Sequence, residues 1–159
     1  MLRSKPLRRI KPHKKGKTLL KRKIGGNKRK RKSPLTKAKE SLEAVQKELV
    51  IKVYGRDCYT CPQKNLKGMN CQLGHVPWPR SELSVQCVFT YTFTRIQCFR
   101  CNINCGGNGA KALKRMIAEG IDVDKMEAHN IATKGKTTSL NWFATKEQEY
   151  CILIQELKK

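Results

Sequence analysis

Two cysteine pairs with the spacing of metal ligands are the strongest chemical signal in this 159-residue sequence. Cys58 and Cys61 form one Cys-x-x-Cys pair, Cys98 and Cys101 form a second, and 36 residues separate the pairs. Two such pairs can place four thiolates tetrahedrally around zinc. A zinc ion closed in by four protein ligands has no open position for a substrate, so its predicted role is structural.

The other four cysteines lack a comparable spacing and are expected to be buried or free thiols. They are Cys71, Cys87, Cys105 and Cys151. Cys105 is close enough in sequence to Cys101 to replace it as a ligand, so the spacing alone leaves the ligand set open. The alternative to a zinc site is that the paired cysteines are unrelated buried residues.

His75 lies between the two cysteine pairs, in the segment QLGHVPWPR. A histidine between a cysteine knuckle and a later helix can be a general base that takes a proton from water. A structural histidine whose ring nitrogens are satisfied by hydrogen bonds is the alternative, and position alone does not separate the two. His75 is therefore a candidate catalytic residue.

Most of the net charge of +23 lies in the first part of the chain, since residues 1–39 hold 18 of the 35 Lys and Arg residues and none of the 12 acids. Residues 1–34 have too few apolar side chains to fold alone and are predicted to be a disordered arm. Its basic side chains would neutralise nucleic-acid phosphates, whereas a solvated tail or a nuclear import signal is the alternative. The predicted contacts are Lys21, Arg22, Lys23, Lys28, Arg29, Lys30, Arg31 and Lys32.

The sequence has neither the pattern of a membrane helix nor that of a secretory signal. Its apolar runs fall short of the roughly 18–20 residues that span a bilayer, and the charged N-terminus lacks the apolar stretch of a signal peptide. The protein is therefore expected to be intracellular, with no membrane partner. In a reducing compartment its cysteines favour metal ligation or free thiols over disulfides.

The first element that must position these residues is a helix over residues 35–54. Its apolar residues recur with helical spacing, Ser33 or Thr36 can cap its start, and Gly55 can end it. The predicted role of the helix is packing. Its expected buried stripe consists of Leu42, Val45, Leu49 and Val53.

Residues 56–120 are predicted to form the zinc-bound core. They are rich in Cys, Gly and β-forming residues, which favours short strands, above all in residues 84–98. A helix is expected over residues 109–119. A cysteine knuckle, a β-hairpin and a ligand pair at a helix start make the treble-clef arrangement. The expected buried face of the helix consists of Ala110, Leu113 and Ile117.

Residues 121–159 are predicted to form C-terminal helices. A short helix is expected over residues 123–131, and a last helix is expected to start near Thr145 with Gln148 completing a capping box. Its expected apolar face consists of Tyr150, Ile154 and Leu157.

The motifs follow one another in the order Cys-x-x-Cys, Gly74-His75, Gln97-Cys-x-x-Cys-Asn102 and Gly107-Asn108. This order resembles the NinG (Rap) recombination proteins of lambdoid phages, over about residues 33–159. It is also similar to the HNH, or ββα-metal, nucleases, including the recombination endonuclease VII type. The fold class that the resemblance implies is a small α+β protein with a zinc-stabilised treble-clef (HNH-like) core, flanking helices and a disordered basic N-terminal arm.

The resemblance implies a structure-selective DNA endonuclease that cuts branched DNA, such as Holliday junctions, in phage recombination. His75 would activate water, Asn102 would help to hold a catalytic Mg²⁺ or Mn²⁺, and Asn108 would orient the helix or touch metal or phosphate. The implied partners are branched DNA, a second copy of the chain in a homodimer, and phage or host recombination proteins. The implied location is the host cytoplasm or nucleoid.

A catalytically inactive, zinc-stabilised DNA- or RNA-binding protein is the alternative function. Residues 55–119, which surround His75, contain only Asp57, Glu82 and Glu119 as carboxylates. Hard divalent ions favour anionic oxygen ligands, so a catalytic ion would have few obvious partners there. A ribosome-associated protein is a third hypothesis, which rests on the lysine-rich tail.

Overall fold

Helix α1 (Pro34–Tyr54) opens the part of the chain that the computed structural model describes, residues 31–159. Ser33 caps it, since its hydroxyl oxygen accepts the backbone N–H of Thr36 at 3.1 Å. Gly55 ends it with a positive φ of 82°, a conformation that costs glycine little. The predicted helix over 35–54 is confirmed, with Ser33 rather than Thr36 as the cap.

The buried face of α1 differs in part from the predicted stripe. Leu42 and Leu49 are buried as expected, but Val53, in the last turn, is 41% exposed. Gln46 and Val50 are buried in addition. A search for apolar residues at helical spacing misses Gln46, because its side chain is polar. Its buried amide donates a hydrogen bond to the carbonyl oxygen of Val88 at 3.2 Å.

Two short antiparallel strands, β1 (Gln72–His75) and β2 (Thr94–Gln97), form the sheet of the described region, with His75 opposite Thr94. The prediction of strands across residues 84–98 is wrong for most of that segment. Helix α2 (Val85–Val88) and a 3₁₀ turn precede β2, because Ser84 caps the backbone N–H of Cys87 at 3.1 Å and starts a helical turn.

Helix α3 (Gly109–Ala118) confirms the helix expected after the second cysteine pair. Its predicted face is wrong, because Ala112 and Met116 are the residues it buries and Ile117 is 61% exposed. Small and flexible side chains fill the core there. Leu113 and Ile117 line a surface groove instead.

The two C-terminal helices are α4 (Val123–Thr133), as expected, and α5 (Leu140–Glu156). Helix α5 starts five residues before the predicted start because Ser139 caps it, accepting the backbone N–H of Trp142 at 3.2 Å. Tyr150 and Ile154 are buried as expected, whereas Leu157 is exposed.

Two hydrophobic clusters hold these elements together. The larger joins α1, α5 and the middle of the chain, and Tyr150 links them further by donating its phenol hydrogen bond to the carbonyl oxygen of Phe89 at 2.6 Å. The smaller surrounds the paired cysteines and includes Val50, Leu66 and Ile96. Over residues 31–159 these elements make a small, mainly helical α+β structure with one two-stranded sheet. Among the helices of residues 31–159, none has the length and hydropathy to cross a membrane.

Candidate metal centre and the adjoining cleft

The four paired cysteines converge on one point. One ligand atom from each of Cys58, Cys61, Cys98 and Cys101 lies within 4.8 Å of all the others. The Sγ atoms of Cys61 and Cys98 are 3.7 Å apart. Zinc–sulfur bonds of about 2.3 Å in a tetrahedron place neighbouring sulfurs about 3.8 Å apart. None of the cysteines in residues 31–159 is in a disulfide, so the four thiols fit a metal ion such as zinc.

The local backbone favours charged sulfur at this centre. Cys98 follows β2 directly, and its backbone N–H points at Cys58 Sγ at 3.3 Å. Cys101 lies in a π-helical turn, Arg100–Asn104, and its N–H points at Cys98 Sγ at 3.4 Å. Backbone N–H groups aimed at a sulfur stabilise the thiolate, which is the metal-binding form.

The pKa values of two of the thiols are shifted in opposite directions. Burial favours the neutral thiol of Cys58, but the backbone N–H groups of Cys98 and Thr60 outweigh it and lower the pKa to about 6. Burial and the neighbouring cysteines raise the pKa of Cys61 to about 12. One thiolate therefore forms readily while its neighbour resists a second negative charge, and a bound dication removes that conflict.

The remaining cysteines lie outside this centre. Cys71 and Cys87 are buried, as expected of structural thiols, and Cys105 and Cys151 are exposed. The hypothesis that Cys105 replaces Cys101 is wrong, because Cys105 is exposed and absent from the cluster of converging ligand atoms. The alternative of four unrelated buried cysteines is set aside by the convergence of the sulfur atoms.

A cleft of about 710 Å³ lies between α1, strand β1 and the turn after Cys101. It brings together His75 and Asn102, which are 27 positions apart in the sequence. Other polar and charged side chains that line it are Glu40, Glu43, Lys47, Gln72 and Arg80.

His75 closes strand β1, and its imidazole is largely buried. Its Nε2 lies 3.2 Å from the carbonyl oxygen of Val88. The tautomer that satisfies this contact carries its proton on Nε2, which leaves Nδ1 as an acceptor. Burial, and next the charge of Arg80, lower the pKa of His75 from its ordinary value of 6.5, against the opposing effects of the Val88 contact and Glu43. The ring is therefore neutral at neutral pH and able to accept a proton.

Asn102 is held in place through its amide nitrogen, which donates to Gln72 Oε1 at 2.9 Å. Its Oδ1 lies over Gly74, 3.1 Å from the position that a Cβ atom on that glycine would take. An amide oxygen of this kind is one of the ligand types that Mg²⁺ and Ca²⁺ accept.

Asn108 is separate from these two residues, since it does not line the cleft. It has a left-handed backbone, with φ 52° and ψ 46°, and its side chain makes no capping hydrogen bond to α3. Gly106 and Gly107 also have positive φ. The three residues lie between the π-helical turn and α3, and Asn108 there takes a left-handed backbone conformation that asparagine adopts more readily than most residues.

The two carboxylates of the cleft were missed by sequence reasoning. Glu40 and Glu43 come from α1, more than 30 positions before His75, and α1 was assigned to packing only. Glu43 forms an ion pair with Arg80 at 3.2 Å. A weak signal existed, because acidic residues three positions apart lie on one face of a helix.

The side chain of Gln97 forms hydrogen bonds both to the Cys58–Cys61 segment and to the loop before α3. This buried side chain donates to the carbonyl oxygen of Gly107 at 2.6 Å and to Thr60 Oγ1 at 3.3 Å. Its Oε1 lies where a side chain at position 74 would begin, 2.0 Å from the Cβ position of Gly74.

We expect Gly74→Ala to destabilise the fold by about 1–3 kcal/mol in urea denaturation, because the new methyl group displaces Gln97. The same substitution in a Gln97→Ala background is the control, since the obstructing oxygen is then absent. An equal loss of stability in both backgrounds would show that the clash is not the cause.

Of the predicted nucleic-acid contacts, Lys21, Arg22, Lys23, Lys28, Arg29 and Lys30 lie outside the described residues, as does most of the predicted arm over 1–34. Arg31 and Lys32 are described and exposed. Lys32 pairs with Glu40 at 2.6 Å on the protein surface, where such pairs contribute little to stability.

In comparisons with known proteins, no family model matches the chain, and no curated protein or solved structure matches it significantly.

Proposed function

We propose that this protein is a divalent-metal-dependent, structure-selective DNA endonuclease that cuts branched DNA in phage recombination. The observation that carries the proposal is the placement of His75 and Asn102 in one cleft beside the four-cysteine centre. The order of cysteine knuckle, β1–β2 hairpin, second cysteine pair and α3 supports a treble-clef, HNH-like assignment and the likeness to the NinG proteins.

His75 would be the general base of phosphodiester hydrolysis. Its Nδ1 accepts the proton of the attacking water while the Val88 carbonyl keeps the Nε2 proton and stabilises the imidazolium that forms. The water oxygen bonds to phosphorus as the bond to the leaving oxygen breaks. Arg80 and Lys47, which line the same cleft, supply positive charge to the phosphate.

The cleft also has oxygen ligands for a hard cation. Asn102 Oδ1 and the carboxylate of Glu43 would hold Mg²⁺ or Mn²⁺, together with phosphate oxygens of the DNA. Such an ion polarises the phosphate and stabilises the leaving oxygen. Zinc at the four cysteines would be structural, because all of its positions are filled by protein.

The basic arm over residues 1–34 would bind the DNA backbone without contacting base edges, because the 14 Lys and Arg residues before Arg31 can neutralise phosphates. A homodimer would supply the two symmetric cuts that a four-way junction needs. Phage or host recombination proteins would be further partners, in the host cytoplasm or nucleoid.

The test of the proposal is cleavage of a four-way DNA junction by zinc-loaded protein, with and without added Mg²⁺ or Mn²⁺. We expect cleavage of the junction only with the added ion, and much slower cleavage of a linear duplex of the same sequence. No cleavage of either DNA under any of these conditions would contradict the proposal.

A catalytically inactive, zinc-stabilised nucleic-acid-binding protein is the second candidate. The observation that favours it is the ion pair between Glu43 and Arg80, which occupies the carboxylate that a catalytic ion would need. This candidate predicts binding to junctions or single strands that weakens steeply with salt and does not depend on a divalent ion.

A further inference from the structure

A group of exposed apolar residues lies on two chain segments, one that lines the cleft and one that carries Cys98 and Cys101. It consists of Met69, Phe99 and Ile103, which are 85%, 42% and 57% exposed, and we name it the rim patch. Single exposed apolar residues are ordinary, but a contiguous group of large ones marks a binding surface.

One hydrogen bond holds the two chain segments of the rim patch beside each other. The backbone N–H of Phe99 donates to Asn70 Oδ1 at 2.9 Å, which places the turn that carries Met69 next to Phe99. Ile103 follows Phe99 by four positions in a helical turn, so both side chains project from the same side.

The same network connects the rim patch to the candidate site. Gln72 donates its amide proton to the carbonyl oxygen of Met69 at 3.1 Å and accepts one from Asn102 at 2.9 Å. Met69 itself lines the cleft that contains His75. The rim patch is therefore two hydrogen bonds away from the residue proposed to hold the catalytic ion.

The charges around the rim patch match a nucleic acid. Lys67 lies two positions before Met69 and Arg100 lies directly after Phe99, and both are exposed. Cations that contact phosphates, combined with an aromatic ring and long aliphatic side chains that contact base faces, form the usual platform for unpaired bases. Apolar side chains of this kind also insert at opened base steps.

We propose that the rim patch stacks against an unpaired base at the branch point of the DNA, and that it supplies the preference for branched over continuous duplex. This inference rests on the proposed function, because it places the branch point next to the cleft in which cleavage would occur. A continuous duplex keeps its bases paired and stacked and gains nothing from the patch.

The test is DNA binding by the full chain without added divalent ion, so that no cleavage occurs. The probes are a duplex with one unpaired 2-aminopurine, whose fluorescence reports stacking, and the fully paired duplex. We expect Phe99→Ala and Met69→Ala each to weaken binding of the bulged DNA about tenfold and to abolish the fluorescence change. Binding of the paired duplex and its salt dependence should not change, because no phosphate contact is removed.

Ile117→Ala is the matched control, since it removes an exposed aliphatic side chain from α3, outside the cleft. Zinc content and the urea midpoint of each variant confirm that the metal centre is intact. Equal binding losses for both DNAs, no loss for either, or a change in self-association instead of DNA binding would overturn the inference. Failure of the proposed function is distinguishable, because protein that shows the expected binding pattern and still cleaves nothing contradicts the endonuclease proposal alone.

Discussion

Cys98→Ser should unfold the metal-centred half of the protein. Cys98 is completely buried, follows β2 directly and lies 3.7 Å from the sulfur of Cys61, and the ligand atoms that converge with it in residues 31–159 are those of the other three paired cysteines. Structural zinc in small sites contributes about 10–16 kcal/mol of apparent binding free energy. That is comparable to the whole stability of a domain, which is roughly 5–15 kcal/mol. We expect loss of cooperative urea unfolding and of the wild-type zinc content, about one ion per chain.

Cys105→Ser is the control for this substitution. Cys105 has the same chemistry, lies four positions after Cys101 and is exposed. Its replacement should leave the zinc content unchanged and the free energy of unfolding within about 0.5 kcal/mol of the wild-type value. Wild-type stability of Cys98→Ser, or zinc loss in Cys105→Ser, would contradict the ligand set.

His75→Ala should lower the single-turnover rate of junction cleavage by about 100-fold to 10,000-fold, the range that a positioned general base contributes. The physical reason is that the cleft then has no neutral imidazole to take the proton of water. DNA binding should change little, because a neutral imidazole carries no charge that contacts phosphate.

His129→Ala is the control for the loss of a histidine. This histidine lies on the exposed side of α4, with its ring 6.3 Å from that of Phe93, and does not line the cleft. Its replacement should leave the cleavage rate unchanged. Equal rates for His75→Ala and the wild type would refute the role assigned to His75.

The four-cysteine cluster could be predicted from the sequence because the spacing of its ligands is local. Each Cys-x-x-Cys pair fixes two ligands within one turn of chain, and four converging sulfurs follow once the pairs meet. Helix α1 was predictable for the same reason, since Ser33 and Gly55 mark its ends in the sequence.

Only part of the cleft could be predicted from the sequence: His75 and Asn102 were expected, but the other groups come from residues far away in the sequence. Glu43 reaches the cleft through the packing of α1, and no spacing rule relates it to His75. The carbonyl group of Val88 that fixes the tautomer of His75 has no side-chain signature at all. The buried face of α3 was mispredicted because the prediction placed the larger apolar side chain of Ile117 in the core. The core instead contains Ala112 and Met116, which are smaller or more flexible.

The central claim is that His75 is a neutral base in a cleft organised beside a structural zinc. The pH dependence of single-turnover junction cleavage, between about pH 5 and pH 8, tests it most directly. Because burial lowers the pKa of His75 below 6.5, the wild-type rate should rise with pH along an acid limb whose midpoint lies below pH 6.5. In His75→Ala this acid limb should be absent and the rate low throughout. The same profile in both proteins would contradict the account.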